Sequence, residues 1–262
     1  MSAFVLKIIA CITMFIDHLG YAVFHGEASW FNYVGRLAFP IFAFQISEGY
    51  IHTKNLKKYF YRLVIFALIS QMPFMLFHSI INGSDWGLNV IFTLAFGLLA
   101  ITIYDKYNKF VGVTSAIFLG VIANLLHCDY GIYGVLITFL FYVFSHNKWL
   151  LAGSFSIATL IKYGYDILLY LSFGPEALKY VASFYLPYII GTLCAIIPIL
   201  LYNKKKGPDI KYLLYLFYPL HMLLIYGISF IIQSWKANNL SSLSNLWYNI
   251  YIHSIECKNI LF

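Results

Sequence analysis

Apolar runs close to 20 residues long, almost free of charged side chains, follow one another from Ala3 to Ser234, parted by short lysine-bearing loops. A run of that length matches the hydrocarbon thickness of a bilayer. Only 10% of the residues are charged, and the mean hydropathy is +0.78. A soluble domain of this size carries about 25% charged residues, so this chain lacks the polar surface to face water on all sides. The expected fold is all-α: a polytopic transmembrane helix bundle of about nine spans, filling residues 1–234 as one membrane domain. The expected spans are Ala3–Phe24, Val34–Tyr50, Phe60–Ile80, Trp86–Tyr104, Phe110–Leu126, Tyr130–Ser145, Trp149–Ser172, Val181–Tyr202 and Tyr212–Ser234. Residues 235–262 are expected to form an extracytoplasmic or interfacial tail, in which Trp247, Tyr248 and Tyr251 suit the headgroup layer.

The loops give the bundle a direction. With the N-terminus inside, the inner loops collect Lys54, Lys57, Lys58 and Arg62, then Lys106 and Lys109, Lys148, and Lys204, Lys205, Lys206 and Lys211. The outer side keeps Lys179, Lys236 and Lys258. Cytoplasmic loops hold an excess of lysine and arginine, so the N-terminus is expected in the cytoplasm and the tail outside. The net charge of +7 has the same origin. No nucleic acid is expected as a partner, because only Arg36 and Arg62 offer guanidinium forks. The first run lacks a small-residue cleavage pattern and reads as a retained span. The multi-pass layout implies an integral membrane protein.

Ionisable side chains at membrane depth are costly and ask for a reason. Asp17 and His18 sit together in the first span, an acid beside an imidazole that can act as a general base, or else a pair that glues helices. Arg36 opens the second span within reach of the Asp17 level, as a clamp for an anionic group or oxyanion, or as a salt bridge to Asp17. Pro40 follows as an expected kink that frees backbone groups toward a cavity. Gln45, Glu48 and His52 make a polar stripe running to the cytoplasmic end. Lys162 and Asp166, one helical turn apart, are expected to neutralise each other. Tyr218, Pro219 and His221 lie together in the ninth span. His127, Cys128 and Asp129 are contiguous and cannot easily converge on one ion, so no metal site is expected. Cys128 and Cys257 both fall outside, which leaves a pairing open.

Several segments together carry a family resemblance. They are Leu6-Lys7-Ile8-Ile9-Ala10, Asp17-His18-Leu19-Gly20, Gly35 through Phe44, Glu48-Gly49-Tyr50 with Tyr59 to Arg62, Asn89 through Leu94, Asp129 through Gly134, and Tyr218-Pro219-Leu220-His221. In this order the chain resembles the TraX family from Leu6 to about Tyr226. The resemblance implies N-terminal acetylation of a pilin, and a distant likeness to membrane acyltransferases that use acetyl-CoA. It implies His18 and Arg36 as site residues, with His221 a motif residue of unassigned role.

The expected function is an integral membrane acetyltransferase, moving an acetyl group from acetyl-CoA to an amine or hydroxyl of a pilin-like peptide, lipid or glycan. His18, Asp17 and Arg36 would be catalytic, with Asp17 orienting the His18 imidazole. Gln45, Glu48, Lys57 and Lys58 would receive the donor at the cytoplasmic side, and Tyr218 and His221 would contact the acceptor. Two other readings share these residues. Buried charges also suit a transporter or lipid-handling protein, and a non-catalytic pilus or envelope assembly partner needs no chemistry at His18.

Overall fold

A computed structural model describes residues 1–24, 29–82, 87–172, 174, 176–208 and 215–235. Among these residues the fold is helical, with no strand beyond one isolated bridge. In chain order the helices are α1 (Ala3–Phe24), α2 (Ser29–Gly35), α3 (Ala38–His52), α4 (Leu56–Asn82), α5 (Val90–Lys106), α6 (Lys109–Leu125), α7 (Gly131–Val143) and α8 (Lys148–Leu171). A composite run follows: α9 (Glu176–Tyr180), a π-helical turn (Val181–Tyr185), α10 (Leu186–Cys194) and α11 (Ile196–Leu200). The last described helix is α12 (Tyr215–Trp235). Four segments are long and apolar enough to cross a bilayer: Ala3–Phe24, Leu56–Ile81, Ala177–Leu200 and Tyr215–Trp235. Lys109–Leu125 and Gly131–Val143 are apolar but shorter. The expected tail beyond Trp235, with Cys257, lies outside the described residues.

The helix starts are written in asparagines. Asn89, Asn108 and Asn147 accept from the first free N–H groups of α5, α6 and α8, at 3.0 Å (Ile91), 2.9 Å (Val111) and 3.0 and 3.1 Å (Trp149 and Leu150). A side-chain oxygen at this position satisfies donors the helix cannot. Asn89 also donates to the Ala67 carbonyl at 2.7 Å and to Gln71 Oε1 at 2.9 Å, which ties the start of α5 to α4.

The second expected span is not one helix. It breaks at Arg36–Leu37 into α2 and α3, and the expected kink at Pro40 is absent as such. Pro40 sits in the first turn of α3, where its missing N–H has no intrahelical partner to lose. The fourth expected span starts at Val90 rather than Trp86. Lys162 does not pair with Asp166; its ammonium lies 5.6 Å and 5.8 Å from the ring centroids of Tyr163 and Tyr133.

The core is a layer of small and branched side chains from α1, α3, α5 and α7. Leu6, Ala10, Ile41, Ala43, Leu98 and Ile137 are fully buried there. Outward positions are apolar as well: Met72, Phe118, Leu125, Ile161, Leu168 and Ile231 are exposed. An apolar outside over a packed inside is the pattern of a lipid-solvated bundle.

One end of the bundle is basic. The N-terminal segment is pinned there by backbone bonds from Ala3 N–H to the Lys205 carbonyl at 2.8 Å and from Asn203 N–H to the Met1 carbonyl at 2.9 Å. Lys148 reaches the Leu200 carbonyl at 3.2 Å at the same end. Tyr50 and Tyr142 donate to the two oxygens of Asp105, at 2.8 and 2.7 Å. Among the described residues, the loops that follow α3, α5, α7 and α11 therefore gather at one end.

Candidate functional site

About 22 Å along α1 from Ala3, at 1.5 Å per residue, lies His18. It borders a cavity of about 310 Å³ displaced toward the end opposite the basic rim. Six parts of the fold supply the walls: α1 (Met14, Asp17, His18, Tyr21), the end of α2 with the first half of α3 (Gly35, Arg36, Phe39, Phe42), the far half of α4 (Phe77, His78, Ile81), the start of α5 (Val90), the α6–α7 loop (Asp129, Tyr130) and α12 (Tyr218). Apolar rings with a few convergent polar groups are what a small-molecule site requires.

The α2–α3 break places Arg36. Its backbone N–H still closes the last turn of α2 on Asn32 at 3.1 Å, and its guanidinium turns onto Asp17 Oδ2 at 2.5 Å. Asn32 Nδ2 donates to Asp17 Oδ1 and to the Asp17 carbonyl, both at 3.1 Å. Gly35 permits this approach: a Cβ there would overlap the Asp17 carboxylate. Arg36 also lies 5.1 Å from the Tyr188 ring centroid and 6.0 Å from that of Tyr21, whose hydroxyls bond each other at 2.8 Å. A guanidinium so surrounded has its charge answered by Asp17 and its faces by aromatic rings.

Asp17 therefore does not orient His18, contrary to expectation. Adjacent residues on a helix diverge by about 100°, and Asp17 takes the direction of α2. The partner of His18 is on α12: His18 Nδ1 lies 2.7 Å from His221 Nε2. His221 is 3% exposed and lies behind His18 rather than on the cavity wall. Tyr218 is on the wall.

The α6–α7 loop is shaped by two residues of positive φ, His127 (52°) and Tyr130 (65°). Leu88 N–H donates to the His127 carbonyl at 3.1 Å, and Asp129 N–H to the Leu88 carbonyl at 2.8 Å. Thr93 Oγ1 donates to the Asp129 carbonyl. Tyr130 stacks on Phe39 with ring centroids 3.7 Å apart, which brings the loop over the cavity. Within the loop Cys128 is a buried free thiol, and burial first, then the neighbouring Asp129 carboxylate, pushes it up to about 11.

The residues expected to receive the donor lie elsewhere. Gln45 donates to the Ala3 carbonyl at 3.4 Å, and Glu48 meets His52 at 3.4 Å. Lys57 and Lys58 are exposed at the basic rim. The packed layer of Leu6, Ala10, Ile41 and Ala43 separates this group from His18. A second cavity of about 420 Å³ opens at the rim, lined by Tyr50, Thr53, Asp105, Tyr142 and His146 among others. Sequence reasoning missed His78, Tyr21 and Asn32. His78 was legible in principle: in an antiparallel layout the far end of α4 lies level with the far part of α1.

The model of the TraX protein family matches residues 2–229. A relative named probable fimbrial assembly protein FimC, serogroup H1, from Dichelobacter nodosus is 32% identical over 250 residues, covering 88% of this chain and 97% of that protein. No solved structure matches the chain.

Proposed function

This chain belongs to the TraX family, and on that footing we propose that it is a pilus-related membrane acetyltransferase with His18 as its general base. The observation that carries the reading is an imidazole held by a second imidazole at the wall of a cavity inside a membrane bundle. In the proposed step an acceptor amine or hydroxyl in the cavity attacks the thioester carbonyl of acetyl-CoA. His18 takes the acceptor proton, the carbon–sulfur bond breaks, and the proton passes to the departing thiolate, which leaves His18 neutral. Arg36 borders the position where negative charge develops on the carbonyl oxygen and contributes electrostatically, although Asp17 already answers part of its charge.

The topology we propose has nine spans, the composite run from α9 to α11 counting as one and α2 with α3 as another. The basic rim then faces the cytoplasm of a bacterial inner membrane. The His18 cavity lies in the outer half, which suits an acceptor delivered from the envelope side, such as the N-terminus of a pilin-like peptide. The phosphate-bearing head of the donor does not fit this cavity, where Arg36 is already paired. The exposed Lys54, Lys57 and Lys58 at the rim suit that head. For the thioester to reach the acceptor beside His18, the packing of α1 against α3 then has to open.

A second reading, a non-catalytic assembly partner, draws on the printed name of the Dichelobacter relative. Mass spectrometry of envelope peptides, lipids and glycans from cells with and without the protein separates the two. The enzyme reading predicts a species heavier by one acetyl group only when the protein is present. Pilus loss with no acetyl difference anywhere supports the assembly reading and sinks the enzyme.

A further inference from the structure

Two imidazoles that share one hydrogen bond raise the question of which nitrogen carries which proton, and the neighbours of His221 answer it. His221 Nδ1 lies 2.8 Å from the Phe217 carbonyl oxygen, four residues back on α12. A carbonyl oxygen only accepts, so His221 Nδ1 bears a hydrogen. In a neutral ring the other nitrogen is then a bare acceptor. That nitrogen, Nε2, is the one 2.7 Å from His18 Nδ1, so His18 Nδ1 donates. The same rule applied to His18 leaves its Nε2 without a hydrogen. Both rings are neutral in this scheme, as hydrocarbon depth favours.

The ring geometry agrees with a real hydrogen bond. The centroids of His18 and His221 are 5.0 Å apart with planes 15° apart, so the rings meet edge to edge through the two nitrogens. Phe217 stacks on His221 at 4.7 Å and 9°, Tyr218 sets an edge against it at 5.7 Å, and Phe77 tilts against His18 at 4.8 Å. Neither ring can flip without displacing an aromatic neighbour.

We propose that the Phe217 carbonyl and His221 form a positioning chain that fixes His18 as its Nδ1–H tautomer, leaving Nε2 as the proton-accepting atom. The inference rests on the reading of His18 as a general base and adds which nitrogen acts and what selects it. When Nε2 takes a proton, His18 becomes an imidazolium whose Nδ1–H is still donated to His221. His221 keeps its own Nδ1–H on the Phe217 carbonyl throughout. The chain does with a neutral acceptor what a carboxylate does in a Ser-His-Asp triad, setting tautomer and orientation. His221 is thus a positioning residue, not an acceptor-binding one.

The test reads tautomers directly. Full-length protein labelled with 15N-histidine is placed in detergent micelles, and long-range proton–nitrogen correlation spectra are recorded, with His18 assigned through His18→Gln. The wild-type chain is expected to show His18 and His221 each as Nδ1–H. In His221→Leu, His18 is expected to lose that single pattern, and His221→Gln, whose amide oxygen can accept from His18, is expected to restore it. Acetyl transfer is expected to fall about 10- to 100-fold in His221→Leu and to recover largely in His221→Gln. A wild-type His18 found as Nε2–H overturns the proposal without any variant, as does an unchanged His18 pattern in folded His221→Leu. The spectra do not depend on activity: the expected tautomer in a protein that transfers no acetyl group sinks the enzyme reading alone. Conversely, His18-dependent transfer with His18 as Nε2–H sinks the positioning chain alone.

Discussion

Asp17 and Arg36 answer each other's charge inside the bundle, with side chains 10% and 14% exposed, so each is costly without the other. Breaking a buried pair by removing one partner costs about 3–5 kcal/mol, while replacing both with apolar groups is often close to neutral. Asp17→Asn is therefore expected to lower the thermal unfolding midpoint in detergent sharply, and the double variant Asp17→Leu/Arg36→Leu to recover most of the loss. Equal losses in single and double variants would show that the pair is not a coupled unit. Cys128 supplies a pH test in the loop over the cavity. Its thiol, held up to about 11, stays protonated in the folded chain well above the ordinary thiol range. Maleimide labelling, which needs the thiolate, is expected to be slow at pH 8 and to rise steeply only toward pH 11. Labelling at pH 8 as fast as in the unfolded chain contradicts this environment.

At the scale of elements, the break between α2 and α3 aims Arg36 at Asp17. Pro40 lies just past the break with no hydrogen bond to regain, so Pro40→Ala is expected to change stability by less than about 1 kcal/mol. Gly191 on α10 is the contrasting case. A Cβ there would run into the Tyr33 carbonyl of α2, so Gly191→Ala is expected to cost about 1–3 kcal/mol and to disturb Arg36 nearby. Thermal unfolding of the two variants side by side checks both expectations. The helices themselves were largely legible in the sequence, because hydrophobic runs and asparagine caps act locally. The break was not legible: no run of polar residues interrupts the segment around Arg36, and the contacts that hold the turn, Arg36 to Asp17 and to the Asn32 carbonyl, come from packing with α1 and α2. The same limit applied to His18. Its neighbour Asp17 was the natural partner along the chain, yet the bonded partner is His221, 203 residues away. Local spacing marks which residues are costly in a membrane; only packing decides which of them meet.

On the scale of the whole molecule, two chemistries are set at opposite ends: a lysine-rich rim that pins the N-terminus, and a cavity of histidines and an ion pair. With nine spans and the N-terminus inside, single cysteines placed at Asn55, Asn108 and Lys204 are expected to label from the cytoplasmic face, and one at His127 from the outside. Labelling of Asn55 and His127 from the same face would contradict the proposed topology. The central claim, that His18 serves as the base in acetyl transfer, is tested most directly by the His18→Ala protein. Purified and shown to be folded by its unfolding midpoint, it would be assayed for transfer of radiolabelled acetyl from acetyl-CoA to an envelope acceptor. The account predicts a loss of about 100- to 10,000-fold relative to the wild-type chain; full transfer by folded His18→Ala would contradict it.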